Sequence, residues 1–261
     1  MALTNTQKLH IQQVISNCLR NKFKNYKPES SNMPFHFRLL GKDRLALYSF
    51  IHSLNTSFGT SIFEPVAKSL ALLNFANAEL QQIAGTHIST EAQRVIQDII
   101  DDLTTATICP NKSNEIEAIR KVCQKGEIRK VKPTKIDLKV TAKDNTVYLF
   151  DLKTAKPNIG NFKEYKRMLL EWVADTLAIN PTANVHTLIA IPYNPYEPEP
   201  YNRWTLRGML DLENELKVAE EFWDFLGGKG AYIELLDCFE QAGIELRPEI
   251  DNYFAKFNKE K

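Results

Sequence analysis

The sequence predicts an α/β protein in which a mixed β-sheet is flanked by helices and the N-terminal third is mostly helical. Apolar residues recur at helical spacing through roughly the first 110 residues, and runs typical of strands follow Pro133. A long amphipathic segment separates the second of these runs from the third. With 261 residues, 43% of them hydrophobic, the chain is long enough for one large domain or two closely packed ones. We expect a helical region over residues 1–110, packed on a core over residues 111–261 as one compact unit.

Helical patterns dominate the N-terminal region. Amphipathic spacing predicts a helix from Lys8 to Lys24, and a second helix opens near Asp43. Gly59 interrupts this second helix, and Ser61–Leu70 continues helically, because proline is tolerated in a first turn. The pair Thr90 and Gln93 has capping-box spacing and is expected to start a further helix.

The strand patterns lie in the second half of the chain. Lys135–Thr141 alternates apolar and polar residues, as a half-buried strand does, and a short turn separates it from Thr146–Lys153. The second run is more continuously apolar, which predicts a central strand paired with the first as a hairpin. The pattern of Phe162–Ile179 predicts a crossover helix. His186–Ile191 is rich in β-branched residues, which predicts a third strand. A loop rich in Pro and Tyr is expected over Pro192–Tyr201, and helices are expected from there to the end.

Charge is segregated along the chain although the net charge is only +1. Residues 120–143 contain nine Lys or Arg and two acidic residues, whereas residues 211–261 contain thirteen acidic and six basic residues. This segregation is consistent either with a surface that binds an anionic polymer or with two solvated faces that balance each other.

The sequence excludes several other classes of protein. The first eight residues contain no apolar signal region, and no apolar run approaches the ~20 residues of a membrane span, so a cytoplasmic protein is expected. The four cysteines are far apart and form no C-x-x-C pair, which argues against a zinc knuckle and for free thiols.

Three charged residues on the first two predicted strands form the main candidate site. Asp151 and Lys153 are two residues apart and therefore point to the same face of a strand, and Asp137 lies on the partner strand. Two carboxylates held close together repel each other, and a divalent cation such as Mg²⁺ relieves that repulsion and also binds phosphate oxygens. The bound cation would polarise a phosphodiester, while Lys153 orients or activates water. The alternative is a surface strand with a cross-strand salt bridge.

These residues resemble the core of the PD-(D/E)xK nuclease superfamily, although Pro133 is not adjacent to Asp137 as the motif's name requires. More narrowly, three segments are similar to the TdeIII-type group of type II restriction endonucleases. The segments are Pro133–Leu138, Phe150–Asn158 and Glu221–Gly228, and the similarity extends over roughly residues 110 to 255.

This resemblance implies a restriction-endonuclease-like core and a Mg²⁺-dependent, site-specific endonuclease that cleaves double-stranded DNA as a homodimer in a prokaryotic cytoplasm. For the subgroup it implies a GG-N-CC target. A cognate DNA methyltransferase is the implied functional partner, because a site-specific nuclease requires that the sites of its own host be protected.

A further carboxylate from an earlier helix often completes the metal site of this superfamily. The segment Phe58–Glu64 is similar to that helix pattern, which makes Glu64 the first candidate; Glu115 and Glu117 are rivals. Alternatively, Glu64 is an acid at a helix N-terminus, where it interacts favourably with the helix dipole.

Basic and polar residues around this motif are candidates for DNA contacts. Candidates for phosphate binding lie before the first predicted strand or at its first residue: Lys125, Arg129, Lys130, Lys132 and Lys135. Candidates near the scissile strand follow the second strand: Lys156, Asn158, Asn161 and Lys163. Candidates for contacts with base edges follow the third strand: Asn194, Tyr196, Asn202, Arg203 and Arg207. The loop in this last group could equally form a dimer contact.

Two other functions remain open on the sequence. The first is a repair or mobile-element nuclease with the same fold. The second is a non-catalytic DNA-binding or assembly protein in which Asp137 and Lys153 merely pair across two strands. Trp172 and Trp223 are expected in the core, and His186 is expected to be structural.

Overall fold

The computed structural model describes residues 2–26, 33–153, 161–202 and 206–258. Its helices are α1 (Asn5–Asn25), α2 (Pro34–Leu40), α3 (Lys42–Phe58), α4 (Glu64–Asn74), α5 (Thr90–Thr104), α6 (Lys112–Arg120), α7 (Phe162–Ile179), α8 (Glu220–Gly227) and α9 (Ala231–Asn258). Its strands are β1 (Asn77–Ile83), β2 (His87–Ser89), β3 (Ile128–Lys130), β4 (Lys135–Thr141), β5 (Val147–Leu152), β6 (Val185–Ile191) and β7 (Leu216–Val218).

The main sheet has five strands in the order β1-β4-β5-β6-β7. The pairs β1–β4 and β4–β5 are antiparallel, and β5–β6 and β6–β7 are parallel, so the predicted mixed sheet is confirmed. As predicted, β4 and β5 form a hairpin, α7 connects β5 to β6, and β5 is the central strand. The bounds of β4 and α7 agree with the prediction, whereas β5 is one residue shorter at each end and β6 begins one residue earlier, at Val185.

Capping explains where two helices begin. Helix α1 starts before Lys8 because the hydroxyl of Thr4 accepts a bond from the Gln7 N–H at 3.3 Å, while the Gln7 side chain accepts from the Thr4 N–H at 2.7 Å. Helix α5 is capped by Ser89, whose hydroxyl accepts from the Ala92 N–H, so the predicted capping box at Thr90 is wrong by one residue. The Thr90 hydroxyl instead accepts a bond from the Glu127 N–H at 3.2 Å.

Two elements of the main sheet are absent from the predictions. The N-terminal region contributes the edge strand β1, whose sequence Asn-Ala-Glu-Leu-Gln-Gln-Ile is too polar to give a clear strand signal. The other is β7, a three-residue strand within the segment expected to be helical. In addition, Gly59 does not break the chain's helical path, because Gly59–Phe63 forms a π-helical turn that leads directly into α4.

The core lies on both sides of the sheet and includes both tryptophans, as predicted. Trp172 and Trp223 are buried, and their indole N–H groups donate to Thr134 and to the main-chain oxygen of Pro192. The four cysteines are free thiols. His186 is half-buried and stacks on Tyr148. Across the described ranges, no helix combines the length and the apolar character that a bilayer crossing requires.

Candidate active site

The β-hairpin brings Asp137, Asp151 and Lys153 together. Leu138 of β4 is paired with Phe150 of β5 at the end of their ladder. Asp137 precedes Leu138 and Asp151 follows Phe150, so both carboxylates lie at this end of the hairpin. The main-chain ladder ends here, because the Leu152 N–H donates to the Asp137 carboxylate at 2.8 Å. This bond fixes one oxygen of Asp137 at the end of the hairpin.

Lys153 forms an ion pair within its own strand region. Its Nζ lies 2.7 Å from Asp151 Oδ1 and 5.0 Å from the centroid of the Tyr165 ring on α7. One hypothesis from the sequence was an ion pair of Lys153 with Asp137 across the two strands. Lys153 instead pairs with Asp151. Burial lowers the pKa of Lys153, but Asp151 and Asp137 raise it more, so the net pKa lies above the usual value. Lys153 is thus a charged ammonium at neutral pH.

Asp151 is a buried carboxylate with only one of its oxygens bonded. Its Oδ2 is buried and has no hydrogen-bond partner among the described residues. Burial, opposed by Lys153 and reinforced by Asp137, raises the pKa of Asp151 to about 6. A buried acceptor without a partner is unusual in folded proteins, and this oxygen is open to a water molecule, an ion or another donor.

Glu64 completes the cluster from the helical region. It is the first residue of α4, is buried, and lines a cavity of about 130 Å³ with Asp137 and Lys153. Its carboxylate accepts a 2.6 Å hydrogen bond from the side chain of Gln81 on β1, which also donates to Asp137 at 3.3 Å. Burial raises the pKa of Glu64, and the Gln81 bond partly offsets this effect. The interruption at Gly59 anticipated from the sequence is a π-helical turn that positions this residue.

Gln81 was not among the residues predicted from the sequence. Its contact with Asp137 depends on β1 lying beside β4, and the polar sequence of β1 gave no strand signal. No motif spacing would have identified this residue.

The two rival glutamates lie elsewhere. Glu115 is buried in a separate cluster, where it pairs with Lys166 at 2.6 Å. Glu117 is exposed and pairs with Arg120 one turn along α6. Of the three predicted candidates, the structure therefore brings only Glu64 to Asp137 and Lys153.

The carboxylates could hold a divalent cation. Within the described part of the chain, no group of three or more His, Cys, Asp and Glu side chains is placed so that together they could hold a metal ion. The unpaired oxygen of Asp151 and the carboxylate of Asp137 nevertheless suit Mg²⁺, which commonly uses one or two carboxylates and completes its shell with water and phosphate oxygens. Glu64 and Asp137 line the cavity with Lys153, and Asp151 pairs with Lys153, so three carboxylates and one ammonium give the site a net negative charge that attracts cations.

Replacing Asp151 by asparagine should stabilise the protein in the absence of metal. The folded-state pKa of Asp151, about 6, exceeds the ordinary value of 3.8. The free energy of unfolding of the wild type therefore falls as pH rises from about 4 to 6, and above that range the full destabilisation by the ionised carboxylate is present. The asparagine side chain does not titrate, so the gain should be on the order of 2 kcal/mol at pH 8 and vanish below pH ~4. Thermal unfolding in chelator at both pH values measures this. Asp144→Asn is the control, because the pKa of Asp144 is lowered; a matching gain there, or none for Asp151→Asn, contradicts the prediction.

The predicted phosphate contacts lie on an exposed surface near the start of β4. All five are exposed: Lys125, Arg129, Lys130, Lys132 and Lys135. Arg129 forms an exposed ion pair with Glu127 at 3.2 Å. The exposed ammonium groups are available to a polyanion.

The other predicted DNA contacts are partly described. Asn161 is exposed at the N-terminus of α7 and Lys163 is half-buried. Three of these residues lie outside the described part of the chain, namely Lys156, Asn158 and Arg203.

The loop after β6 uses part of its polar groups internally. The Asn194 side chain donates to the main-chain oxygen of Glu199 at 2.7 Å and accepts from the Tyr196 N–H at 3.0 Å. These bonds orient the Asn194 side chain and leave one of its N–H donors and one acceptor position unused among the described residues. Asn202 and Arg207 are exposed, and Tyr196 is half-buried.

Comparison with known proteins identifies the enzyme class. The family described as "Type II restriction endonuclease, HinfI" matches residues 3–243. The type II restriction enzyme HgiCII of Herpetosiphon aurantiacus is 28% identical over 225 residues, which cover 83% of this chain and 80% of the relative. The type II restriction enzyme MjaII of Methanocaldococcus jannaschii is 30% identical over 224 residues, which cover 76% of this chain but 59% of that relative.

The prediction of a type II restriction endonuclease, a site-specific deoxyribonuclease acting on double-stranded DNA, is confirmed by these matches. The narrower TdeIII-type group stays a prediction. The family match extends to residue 3, so it includes the helical region from which Glu64 reaches the site. The chain belongs to the HinfI family of type II restriction endonucleases.

Proposed function

We propose that this restriction endonuclease is Mg²⁺-dependent, cleaves at a short palindromic site, and uses Asp137, Asp151, Lys153 and Glu64 as its catalytic residues. The observation that carries the proposal is the buried, unpartnered oxygen of Asp151 beside a second carboxylate and an ammonium. A purely structural ion pair needs one carboxylate, and this site brings three together.

Each side chain has a distinct part in the proposed mechanism. Asp137 and Asp151 would hold Mg²⁺, which when bound polarises the scissile phosphate and lowers the pKa of water. Lys153 is positively charged, and it lines the cavity, so it orients the attacking water and stabilises negative charge on the phosphate. Glu64 is buried with a raised pKa, and it holds a further proton-accepting oxygen at the cavity wall.

Digestion of phage DNA by the purified protein tests this function. Mg²⁺ should produce discrete fragments, EDTA should stop cleavage, and added Mg²⁺ should restore it. Mapping the fragment ends would give the target, which the TdeIII-type resemblance predicts to be GG-N-CC. Activity that persists in chelator would rule out the metal mechanism, and ends at unrelated sequences would rule out site-specific cleavage.

We propose that the exposed basic surface before and at the start of β4 binds DNA phosphates. Its affinity for DNA should then fall steeply with salt, because each neutralised phosphate releases counterions. The double variant Lys130→Ala/Lys132→Ala should weaken binding on all sequences and reduce the slope of log K against log salt by about 2. Filter binding or fluorescence anisotropy in EDTA, where cleavage is absent, measures both.

Lys229→Ala is the matched control for this surface, because Lys229 is exposed but lies in the acidic C-terminal region. The control should leave the salt slope unchanged. A flat salt response of the wild type would favour a merely solvated surface.

We further propose that the enzyme acts as a homodimer in the prokaryotic cytoplasm, together with a cognate DNA methyltransferase. A palindromic site presents the same sequence twice, and a two-fold dimer presents two copies of the active site to it. The face of α2 and α3 supports this: no residue of α2 is buried, and Phe35 and Leu39 are 85% and 84% exposed. Such apolar exposure favours contact with a second copy. The methyltransferase follows from the need to protect host DNA.

A further inference from the structure

Gln81 occupies an irregular position in an otherwise regular pair of strands. Leu80 is paired with Leu138, and Gln82 is paired with Ile136, so the register is the same on both sides of the irregularity. The missing pair is Gln81 with Asp137. Gln81 has a φ of 54°, in the left-handed region that residues other than glycine rarely adopt.

The side chain of Gln81 shows what the irregular backbone achieves. Its Nε2 donates to Glu64 at 2.6 Å and to Asp137 at 3.3 Å, so one carboxamide joins carboxylates from α4 and β4. Two carboxylates offer only acceptors, which requires the nitrogen of the carboxamide to face them. Strained backbone that persists in a folded protein is concentrated at functional sites.

The Gln81 carboxamide that joins the two carboxylates carries no charge. The next pair along the same face of β1 and β4 is Glu79 with Lys139, which form an ion pair at 3.5 Å. An ammonium at position 81 would hold Glu64 and Asp137 as well, but it would cancel the negative charge that attracts a cation. A carboxamide orients both groups and leaves their charge intact.

The remaining oxygen of Asp137 accepts from the Leu152 N–H at 2.8 Å. Each carboxylate oxygen has two acceptor positions, so these bonds fix the orientation of Asp137 and leave it able to bind another group. The orientation of Asp137 therefore depends on Gln81 from one strand and on Leu152 from the other.

We propose that Gln81 is a positioning residue of the nuclease site, which orients Glu64 and Asp137 for the divalent cation and the scissile phosphate. This inference rests on the proposed Mg²⁺-dependent function. Loss of such an outer contact typically costs about 10–100-fold in metal affinity or activity.

The test compares Gln81→Gly with the wild type. Glycine relieves the left-handed backbone but leaves the buried carboxylate of Glu64 without its 2.6 Å hydrogen bond, and because these effects oppose each other we expect only a small change in melting temperature. The single-turnover cleavage rate should nevertheless fall about 10–100-fold, and the half-saturating Mg²⁺ concentration should rise by a similar factor. The rise in melting temperature on adding Mg²⁺ without DNA should shrink, and this readout needs no turnover. Gln81→Asn keeps a carboxamide but is one methylene shorter, and it should show the same loss.

Ala106→Gly is the matched control. Ala106 has a φ of 55° and is exposed after α5, so glycine relieves the same kind of strain without touching the site. This control should leave cleavage and its Mg²⁺ dependence unchanged.

The outcomes separate the two proposals. If the wild type does not cleave in Mg²⁺, the proposed function fails and the role of Gln81 fails with it. If the wild type cleaves and Gln81→Gly matches it in rate and Mg²⁺ dependence, only the role of Gln81 is overturned. It is also overturned if the rate falls only together with the melting temperature while the Mg²⁺ dependence stays unchanged, since that pattern indicates a structural residue.

Discussion

Lys153→Ala is expected to reduce the rate of DNA cleavage about 10³-fold or more while leaving the fold intact. The ammonium lies 2.7 Å from Asp151, and its side chain borders the cavity that Glu64 and Asp137 also line. Removing it takes away the cation that borders the proposed phosphate position. It also leaves the buried carboxylate of Asp151 without its ion-pair partner.

The charge of Lys153 indicates how it contributes. Because the neighbouring carboxylates raise its pKa above the usual value, it carries a proton throughout the neutral range. It is therefore suited to stabilise charge and to orient water, and it is poorly suited to accept a proton as a free amine. Substitution of a positioned electrostatic donor typically costs about 10²–10³-fold, and loss of a metal-ligand partner adds to this.

Lys139→Ala is the matched control for this prediction. Lys139 lies on β4 two residues from Asp137, but it is partly exposed and pairs with Glu79 at the sheet surface. Single-turnover cleavage should therefore stay close to that of the wild type in this variant. DNA binding in EDTA and a cooperative thermal unfolding transition should be retained in both variants, with a lower melting temperature for Lys153→Ala because Asp151 is left without its partner. Cleavage by Lys153→Ala at the wild-type rate would remove the assignment of the site.

The central part of the fold was predictable because its signals are local. The alternation in β4, the apolar run of β5 and the amphipathic period of α7 each depend on neighbouring residues along the chain, and their bounds agree with the structure within one residue. The edge strand β1 was not predictable for the same reason. Its strand conformation is stabilised by pairing with β4, 58 residues later at Leu80 and Leu138, and its own sequence is polar.

The residues of the site were likewise predictable only where they lie close together along the chain. Asp137, Asp151 and Lys153 lie on one hairpin, so their spacing along the chain predicts that they meet. Glu64 was one of three candidates, and only the packing of α4 against the sheet distinguishes it from Glu115 and Glu117. Gln81 carries no sequence signal, because its role depends on an unusual backbone angle and on contacts with two other elements.

A second buried charge cluster lies between α6, α7 and the segment before β7. Glu215 accepts from Lys112 at 2.7 Å and from Lys166 at 2.6 Å, and Lys166 also donates to Glu115 at 2.6 Å. The Asp211 N–H donates to Glu215 at 2.9 Å. All four charged side chains are buried, and the two ammonium groups balance the two carboxylates. The cluster is therefore fully paired, and its members depend on one another.

Glu215→Gln is expected to destabilise the protein by about 3–5 kcal/mol at pH 7, which is the usual effect of removing one partner from a buried ion pair. Glutamine has nearly the same shape, but it leaves two buried ammonium groups with one carboxylate. Burial raises the pKa of Glu215, but Lys112 and Lys166 lower it more, so the folded-state pKa lies below the ordinary value of 4.5. Denaturant unfolding at pH 7 measures the loss, and Glu249→Gln, in an exposed pair with Arg20, should give no resolvable change.

The pH dependence shows whether the charge of Glu215, and not its shape, is responsible. A carboxylate with a depressed pKa contributes its full stability above the unfolded-state pKa, and that contribution is lost as pH falls through the folded-state value. The difference in unfolding free energy between wild type and Glu215→Gln should therefore be present in full at pH 7 and shrink below pH ~4.5. A difference that stays constant down to about pH 3 would mean that packing or hydrogen-bond geometry causes the loss. A difference near zero at pH 7 would mean that the desolvation cost of the four charges cancels their attraction.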